Sequence, residues 1–304
     1  ESNSWALSSI TSGHIVTSSI EHHSLLNACR ALERKGIDVT YLPVDSKGRV
    51  PLDSVKAVIR SDTKLVSIML ANNEIGTIEP ISEIGKYLHE QGILFHTDAV
   101  QAVGHISVNV KDLGVDFLTA SAHKFNGAKG TGILYKRSGV PLSSIIFGGK
   151  QELELRAGTE NVAGIVAAGY AIEESVVNMT TMTYKLTAFL RTTVNGLRAK
   201  MSNIHINGDE KNRLPGIINI VIDGIKGESL IHLLDLKGIC ISTSSACTSG
   251  KEEPSHVLMA LGLSEQQAKS AIRISYGRYN TMQEVNAIVT AICDACGKIA
   301  GVSI

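Results

Sequence analysis

The first half of the chain alternates short β-branched runs with amphipathic stretches, and that alternation constrains its fold more than any other feature. Strands are predicted at 37–42, 65–71, 93–97, 116–120 and 132–135, with apolar residues at helical spacing over 52–60 and 81–90. Gly36 and Gly92 stand just ahead of two of these strands, where a preceding helix needs a residue that tolerates a left-handed stop. Strand–helix alternation of this kind predicts an α/β architecture, a mainly parallel sheet covered by helices. Ligands of such sheets bind outside the carboxyl ends of the strands, so those ends are where chemistry is expected.

After Thr159 the pattern changes. A long helix is predicted from 161 to about 200, rich in Ala, Val and Met. Strands at 204–206, 217–221, 238–242 and 272–275 then mix with helices at 228–236, at 256–261 and from 282 onward. This order predicts a large domain over 1–178 followed by a smaller α+β domain over 179–304. A chain of 304 residues is long enough to bury both cores.

Composition excludes several classes. Apolar residues make up 43% and charged residues 19%, the balance of a packed globular protein rather than a disordered one. Lys and Arg together number 29, as do Asp and Glu, so no net field favours nucleic acid or an anionic membrane. No uninterrupted apolar run is long enough for a bilayer, and the opening Glu1-Ser2-Asn3-Ser4 lacks the pattern of a signal peptide. Five cysteines without framework spacing suit a reducing compartment, so a cytoplasmic location is expected. Cys29 and Cys240 fall in helix and strand patterns and are read as core residues. Cys293 and Cys296 form a Cys-x-x-Cys with no second pair near it, so no metal site is expected. His14, His89, His105, His205, His232 and His256 are scattered without ligand spacing.

Two polar clusters end predicted strands. One is His96-Thr97-Asp98-Ala99-Val100-Gln101, and the other is Ser121-Ala122-His123-Lys124-Phe125-Asn126-Gly127. An Asp leaving a strand is by default a cap, and a loop Lys is by default solvated. A Lys that ends a buried strand, followed by a glycine-rich turn (Gly127, Gly130, Gly132), is expected instead to be desolvated. Desolvation would lower its pKa and free the neutral amine for a Schiff base.

Asp98-x-x-Gln101, with the Lys of Ser-Ala-His-Lys 26 positions beyond Asp98, resembles the cofactor cradle of the class V aminotransferase family. More narrowly, the chain is similar to the cysteine desulfurases that supply sulfur for nitrogen-fixation and general iron–sulfur clusters. The similarity runs through Ile20-Glu21-His22, Ala71-Asn72-Asn73-Glu74-Ile75-Gly76, Arg156-Ala157-Gly158-Thr159-Glu160-Asn161, Ser244-Ser245-Ala246-Cys247-Thr248-Ser249 and Ile272-Arg273-Ile274-Ser275. Any one of these motifs alone is weak; their joint order is not.

The resemblance implies fold type I of the PLP-dependent transferases, with pyridoxal 5'-phosphate (PLP) as cofactor and L-cysteine as substrate. Lys124 would hold the cofactor and shuttle the α-proton. Asp98 would face the pyridine nitrogen, Gln101 the phenolic oxygen, and His22 the ring face, with His23 as the rival for that place. Ser121 and His123 would hold the phosphate, with Thr159 reaching it from the partner subunit of a homodimer. Asn73 and Arg273 would receive the substrate carboxylate, Arg273 through its two-pronged guanidinium. Cys247, in a Ser/Thr-rich loop, would attack the substrate sulfur, take a persulfide and pass it to an acceptor protein such as an iron–sulfur scaffold. A selenocysteine lyase shares the same cradle, and the Ser-Ala-Cys-Thr-Ser loop favours the desulfurase. A non-catalytic paralogue, or a fragment that binds a protein partner, is the alternative of another class.

Three departures from the family pattern stand out. The phosphate-cup residues that normally precede Glu-Ser-Asn are absent ahead of Glu1, which leads us to expect upstream sequence beyond this chain. Leu7-Ser8 runs into Ile15-Val16 early, as if a piece of helix or loop were missing. Ala128 stands where the turn after the Lys often has Pro.

Overall fold

The structure, a computed structural model, describes residues 1–243 and 253–301. The chain divides into two compact units: Glu1–Val44, Arg49–Asn72 and Glu79–Met179 form the first, and Asp45–Gly48, Asn73–Ile78 and Thr180–Ile304 the second.

The first unit holds α1 (Ser2–Ser8), β1 (His14–Ser18), α2 (His23–Glu33), β2 (Asp38–Leu42), α3 (Leu52–Val58), β3 (Thr63–Ser67), α4 (Ile81–Glu90), β4 (Leu94–Asp98), α5 (Val110–Leu113), β5 (Phe117–Ser121) and β6 (Gly132–Lys136). A long helix, α6 (Val162–Lys200), begins in this unit and ends in the second. The strands form one sheet in the order β2-β1-β3-β4-β5-β6. Every pair is parallel except β5 with β6. The mainly parallel sheet expected from the alternation is therefore present. Gly36 and Gly92 have φ of 87° and 66°, the left-handed stops expected ahead of β2 and β4.

Apolar periodicity does not mark β1, yet all five of its residues are buried and it lies between β2 and β3. Two of its three polar side chains, His14 and Ser18, find hydrogen-bond partners inside the fold, whereas Thr17 Oγ1 is buried without one among the described residues. His14 Nδ1 pairs with Thr63 Oγ1 at 2.9 Å and Nε2 with Thr40 Oγ1 at 2.8 Å, while Ser18 Oγ donates to Glu21 Oε1 at 2.6 Å. β3 spans 63–67 against the predicted 65–71, although the chain continues beside β4, with Ile68 and Leu70 still donating to the carbonyls of His96 and Asp98. Ala6, Leu7, Ile15, Leu25, Leu65 and Phe117 belong to one buried apolar cluster of this unit.

The second unit adds β7 (Ile204–Asn207), β8 (Ile217–Ile222), α7 (Gly227–Asp235), β9 (Ser242–Thr243), α8 (His256–Ala260), α9 (Glu265–Ser270), β10 (Ala271–Ser275) and α10 (Met282–Ala300). Its sheet is antiparallel, in the order β7-β8-β10-β9. Leu197, Ile220, Leu234, Ile272 and Ile292 lie in its core with Cys293 and Cys296. Burial pushes the Cys296 thiol up to about 11 and the Cys293 thiol up as well, so both keep their protons and pack as small apolar groups.

Two sequence expectations need correction here. The strand predicted at 238–242 shrinks to the two residues of β9, because Gly238 turns at φ 72° and pairing with β10 starts only at Ser242. Cys240, on that unpaired stretch, is exposed rather than a core residue, whereas Cys29 is buried as expected. The short helix α9 escaped the apolar pattern; it is set by a capping box between Ser264 and Gln267. Among the described residues no helix is long and apolar enough to cross a membrane.

Candidate active site

The sheet order 2-1-3-4-5 reverses direction between β1 and β3, and crevices at such a point open at the carboxyl ends of the strands. Glu21 and His22 follow β1, Asp98 and Gln101 end and follow β4, and Ser121 to Lys124 end and follow β5. All lie on that one edge.

Asp98 is the fixed point. It is 4% exposed, its Oδ2 accepts from Asn3 Nδ2 at 2.7 Å and its Oδ1 from the Val100 amide at 2.9 Å. Burial raises its pKa; the two donors and the nearby His22 and Lys124 oppose that rise. Asn3 is in turn held by Thr119 Oγ1, which donates to Asn3 Oδ1 at 2.5 Å, and its Nδ2 also reaches Ser24 Oγ at 2.9 Å. Ser24 Oγ meets His22 Nδ1 at 2.8 Å, and the Ser24 amide donates to the same nitrogen at 3.2 Å. His22 is thus the N-cap of α2 and is bonded into the Asp98 network. Burial lowers its pKa, with the Asp98 charge opposing, so it favours the neutral ring.

Lys124 sits on a single 3-10 turn, Ala122–Phe125, directly after β5. The turn lifts it off the buried strand end, and it is exposed; the expected desolvation of its amine is absent. What the fold does hold tightly is its backbone. His105 Nε2 meets the Lys124 carbonyl at 2.9 Å and Ser175 Oγ donates to the Phe125 carbonyl at 3.3 Å. The turn then leaves through Asn126 at φ 69°, and Gly127 donates to the Ala122 carbonyl at 2.8 Å. A Cβ on Gly104 would come within 2.6 Å of Phe125 Cβ, and Gly104 has φ 81°, so only glycine lets this neighbouring turn approach.

Ser121 Oγ and His123 Nδ1 are paired at 2.8 Å. Gln101 is half-buried on the turn after Asp98, and Thr159 is exposed on the loop before α6. That loop is tied to the start of α1 by Arg156, which donates to Glu1 Oε1 at 2.9 Å and Oε2 at 3.2 Å. Asn73 and Arg273 belong to the second unit, where Arg273 Nη1 donates to the Asn73 carbonyl at 3.2 Å. Cys247 lies outside the described residues.

Asn3 and His105 are the functional candidates that motif matching passes over. Asn3 was visible only as part of the opening Glu-Ser-Asn, and His105 only as a histidine four positions past Gln101. Neither spacing signals that one grips Asp98 and the other the Lys124 turn.

This set fits PLP: a buried carboxylate steadied by two N–H donors for a ring nitrogen, a primary amine on the same edge, and paired hydroxyl and imidazole groups for a phosphate. The fold and the site define a PLP-dependent enzyme of fold type I. The sequence model of the class-V aminotransferases matches residues 2–288, and the chain belongs to that family. Within it, the chain is 48% identical over 292 residues to the cysteine desulfurase IscS of Dictyoglomus turgidum, covering 94% of this chain and 74% of that protein. Among solved structures it is similar to a NifS-like protein, with a TM-score of 0.91 and 37% identity over 98% of this chain and 80% of the other. It is also similar to SspA, solved in complex with cysteine, with a TM-score of 0.78 and 35% identity over 92% of this chain and 80% of that one.

Proposed function

We propose that this protein is a PLP-dependent cysteine desulfurase that converts L-cysteine to L-alanine and retains the sulfur as a persulfide on Cys247. One observation carries the proposal: Asp98, buried and held by Asn3 and Val100, shares a strand-end edge and an electrostatic neighbourhood with His22 and Lys124. The similarity to IscS and to a relative solved with cysteine supports the choice of substrate.

PLP, when bound, supplies an electron sink for the substrate's Cα–H bond. Lys124 Nζ would hold the cofactor by its aldehyde and is the amine placed to carry the α-proton. Asp98 would favour a protonated ring nitrogen, Gln101 would bond the phenolic oxygen and His22 would cover the ring face. Ser121 and His123 would hold the phosphate, joined by Thr159 from a second copy. Asn73 and Arg273 orient the substrate through its carboxylate. Cys247, as a thiolate, forms a new S–S bond to the substrate sulfur while the substrate's Cβ–S bond breaks; a proton replaces sulfur on that carbon, and alanine leaves. The persulfide sulfur then passes to an acceptor protein, with an iron–sulfur scaffold as the expected recipient in the cytoplasm. Val162, Val166, Tyr170 and Val177 expose apolar surface on α6, as do Phe147 and Leu153 ahead of it, which supports a homodimer.

The test is to supply the purified protein with PLP and L-cysteine and to follow alanine, reductant-released sulfide and the visible absorbance of bound cofactor. Lys124→Ala should lose the absorbance. Cys247→Ala should keep the absorbance and lose the sulfide; undiminished sulfide from that variant would overturn the persulfide step.

A further inference from the structure

Glu74 carries a carboxyl that the chemistry above does not use. It is 6% exposed, on the short segment Asn73–Ile78 that belongs to the second unit. A buried carboxyl costs several kcal/mol if left ionised and unpartnered, so its surroundings are informative. Ser255 Oγ donates to Glu74 Oε2 at 2.5 Å, and Ser255 is itself 4% exposed. The same hydroxyl caps α8, accepting from the Leu258 amide at 3.3 Å. Asn219 Nδ2 donates to the Glu74 carbonyl at 3.4 Å, and Asn219 on β8 stands opposite Arg273 on β10 in the antiparallel register. Arg273 closes the circuit through the Asn73 carbonyl.

The segment is held on its far side too. Arg213 Nη2 donates to the Ile75 carbonyl at 2.8 Å, Leu214 donates to the Gly76 carbonyl at 2.8 Å, and the Asp209 amide donates to Thr77 Oγ1 at 3.0 Å. The Asn73–Glu74 turn is therefore clamped from β8, from β10 and from the start of α8, and Glu74 is where these contacts meet.

We propose that Glu74 is a positioning residue for the substrate carboxylate: its side chain, through Ser255, fixes the turn that presents Asn73, a turn whose backbone Asn219 also holds, and registers it against the Arg273 guanidinium. Burial pushes its carboxyl up to about 7, while the Ser255 hydrogen bond and the Arg273 charge act to lower it. Burial thus favours the neutral carboxyl, which competes less than an ionised one would with an anionic ligand for the Arg273 cation. The proposal rests on the assignment of Asn73 and Arg273 as carboxylate receivers.

Two readouts on the full-length, PLP-loaded enzyme test it: steady-state kinetics with L-cysteine, and spectral titration with L-alanine, which needs no turnover. Glu74→Ala should raise KM and the alanine Kd about tenfold while kcat changes less than about threefold, the scale of one lost buried hydrogen bond. Glu74→Gln, which still accepts from Ser255, should stay within about threefold of the parent in both. Ser255→Ala should move both in the direction of Glu74→Ala, and it serves if the latter does not fold. Unchanged KM and Kd in a folded Glu74→Ala or in Ser255→Ala, or a Glu74→Gln as impaired as Glu74→Ala, would overturn the role of Glu74 alone, provided that Arg273→Ala weakens both. Unchanged constants in Arg273→Ala would remove the carboxylate assignment and this proposal with it.

Discussion

Asn3 and Asp98 are 95 positions apart in the chain, and their side chains meet at 2.7 Å. The amide serves three neighbours, since Asn3 also accepts from Thr119 and reaches Ser24 beside His22. One residue of α1 therefore links the end of β4, the body of β5 and the cap of α2.

Asn3→Ala removes a donor from a buried carboxylate and strands Thr119 Oγ1. The loss of one such charge-assisted bond corresponds to about 1.5–3 kcal/mol, so PLP should bind roughly 10- to 100-fold more weakly. Equilibrium dialysis against PLP, followed by absorbance, checks this. Retention equal to the parent would show that Val100 alone suffices to hold Asp98.

Glu21 gives a pH dependence with a defined sign. It is fully buried, and burial pushes its carboxyl from 4.5 up to about 8, against hydrogen bonds from Ser18 Oγ and the Met69 amide. The unfolded chain releases this proton near 4.5 and the folded chain only near 8, so in that window the folded state binds more protons. Its contribution to stability is complete below the lower value and declines as pH rises through the upper one, by a total of about 3–5 kcal/mol. Thermal melts from pH 5 to 9 should show a fall in Tm for the parent that is flatter in Glu21→Gln.

His105→Ala should loosen the Lys124 turn without disturbing the core, since the lost contact is a single side-chain bond to a carbonyl. Turnover is expected to fall about 3- to 10-fold with Tm nearly unchanged, the weight of one hydrogen bond. Kinetics paired with a melt separate this from general destabilisation.

Tyr170 and Val177 are exposed apolar residues on α6. If that face pairs with a second copy, Tyr170→Asp combined with Val177→Asp should shift the light-scattering mass from two chains to one. It should also weaken PLP retention, through loss of Thr159 from the other copy. A parent protein already at the mass of one chain would contradict the dimer.

Periodicity and motif order were sufficient for the parallel sheet, the long α6 and the places of Asp98 and Lys124, because strand and helix repeats and contiguous motifs are local properties of the chain. β1 escaped because only two of its five residues, Ile15 and Val16, are apolar, set among His14, Thr17 and Ser18. It lies inside the sheet with His14 met by Thr63 and Thr40 on its neighbours and Ser18 met by Glu21 beyond it. Lys124 was expected to be desolvated from the apolar strand before it, yet one tight turn returns it to solvent. Cys240 became exposed for a similar reason, a turn at Gly238 that delays pairing. The grip of Asn3 on Asp98, of His105 on the Lys124 turn and of Ser255 on Glu74 spans 95, 19 and 181 positions. Contacts over such separations leave no trace in local pattern, since they exist only after packing has removed water and made each buried polar group seek a partner.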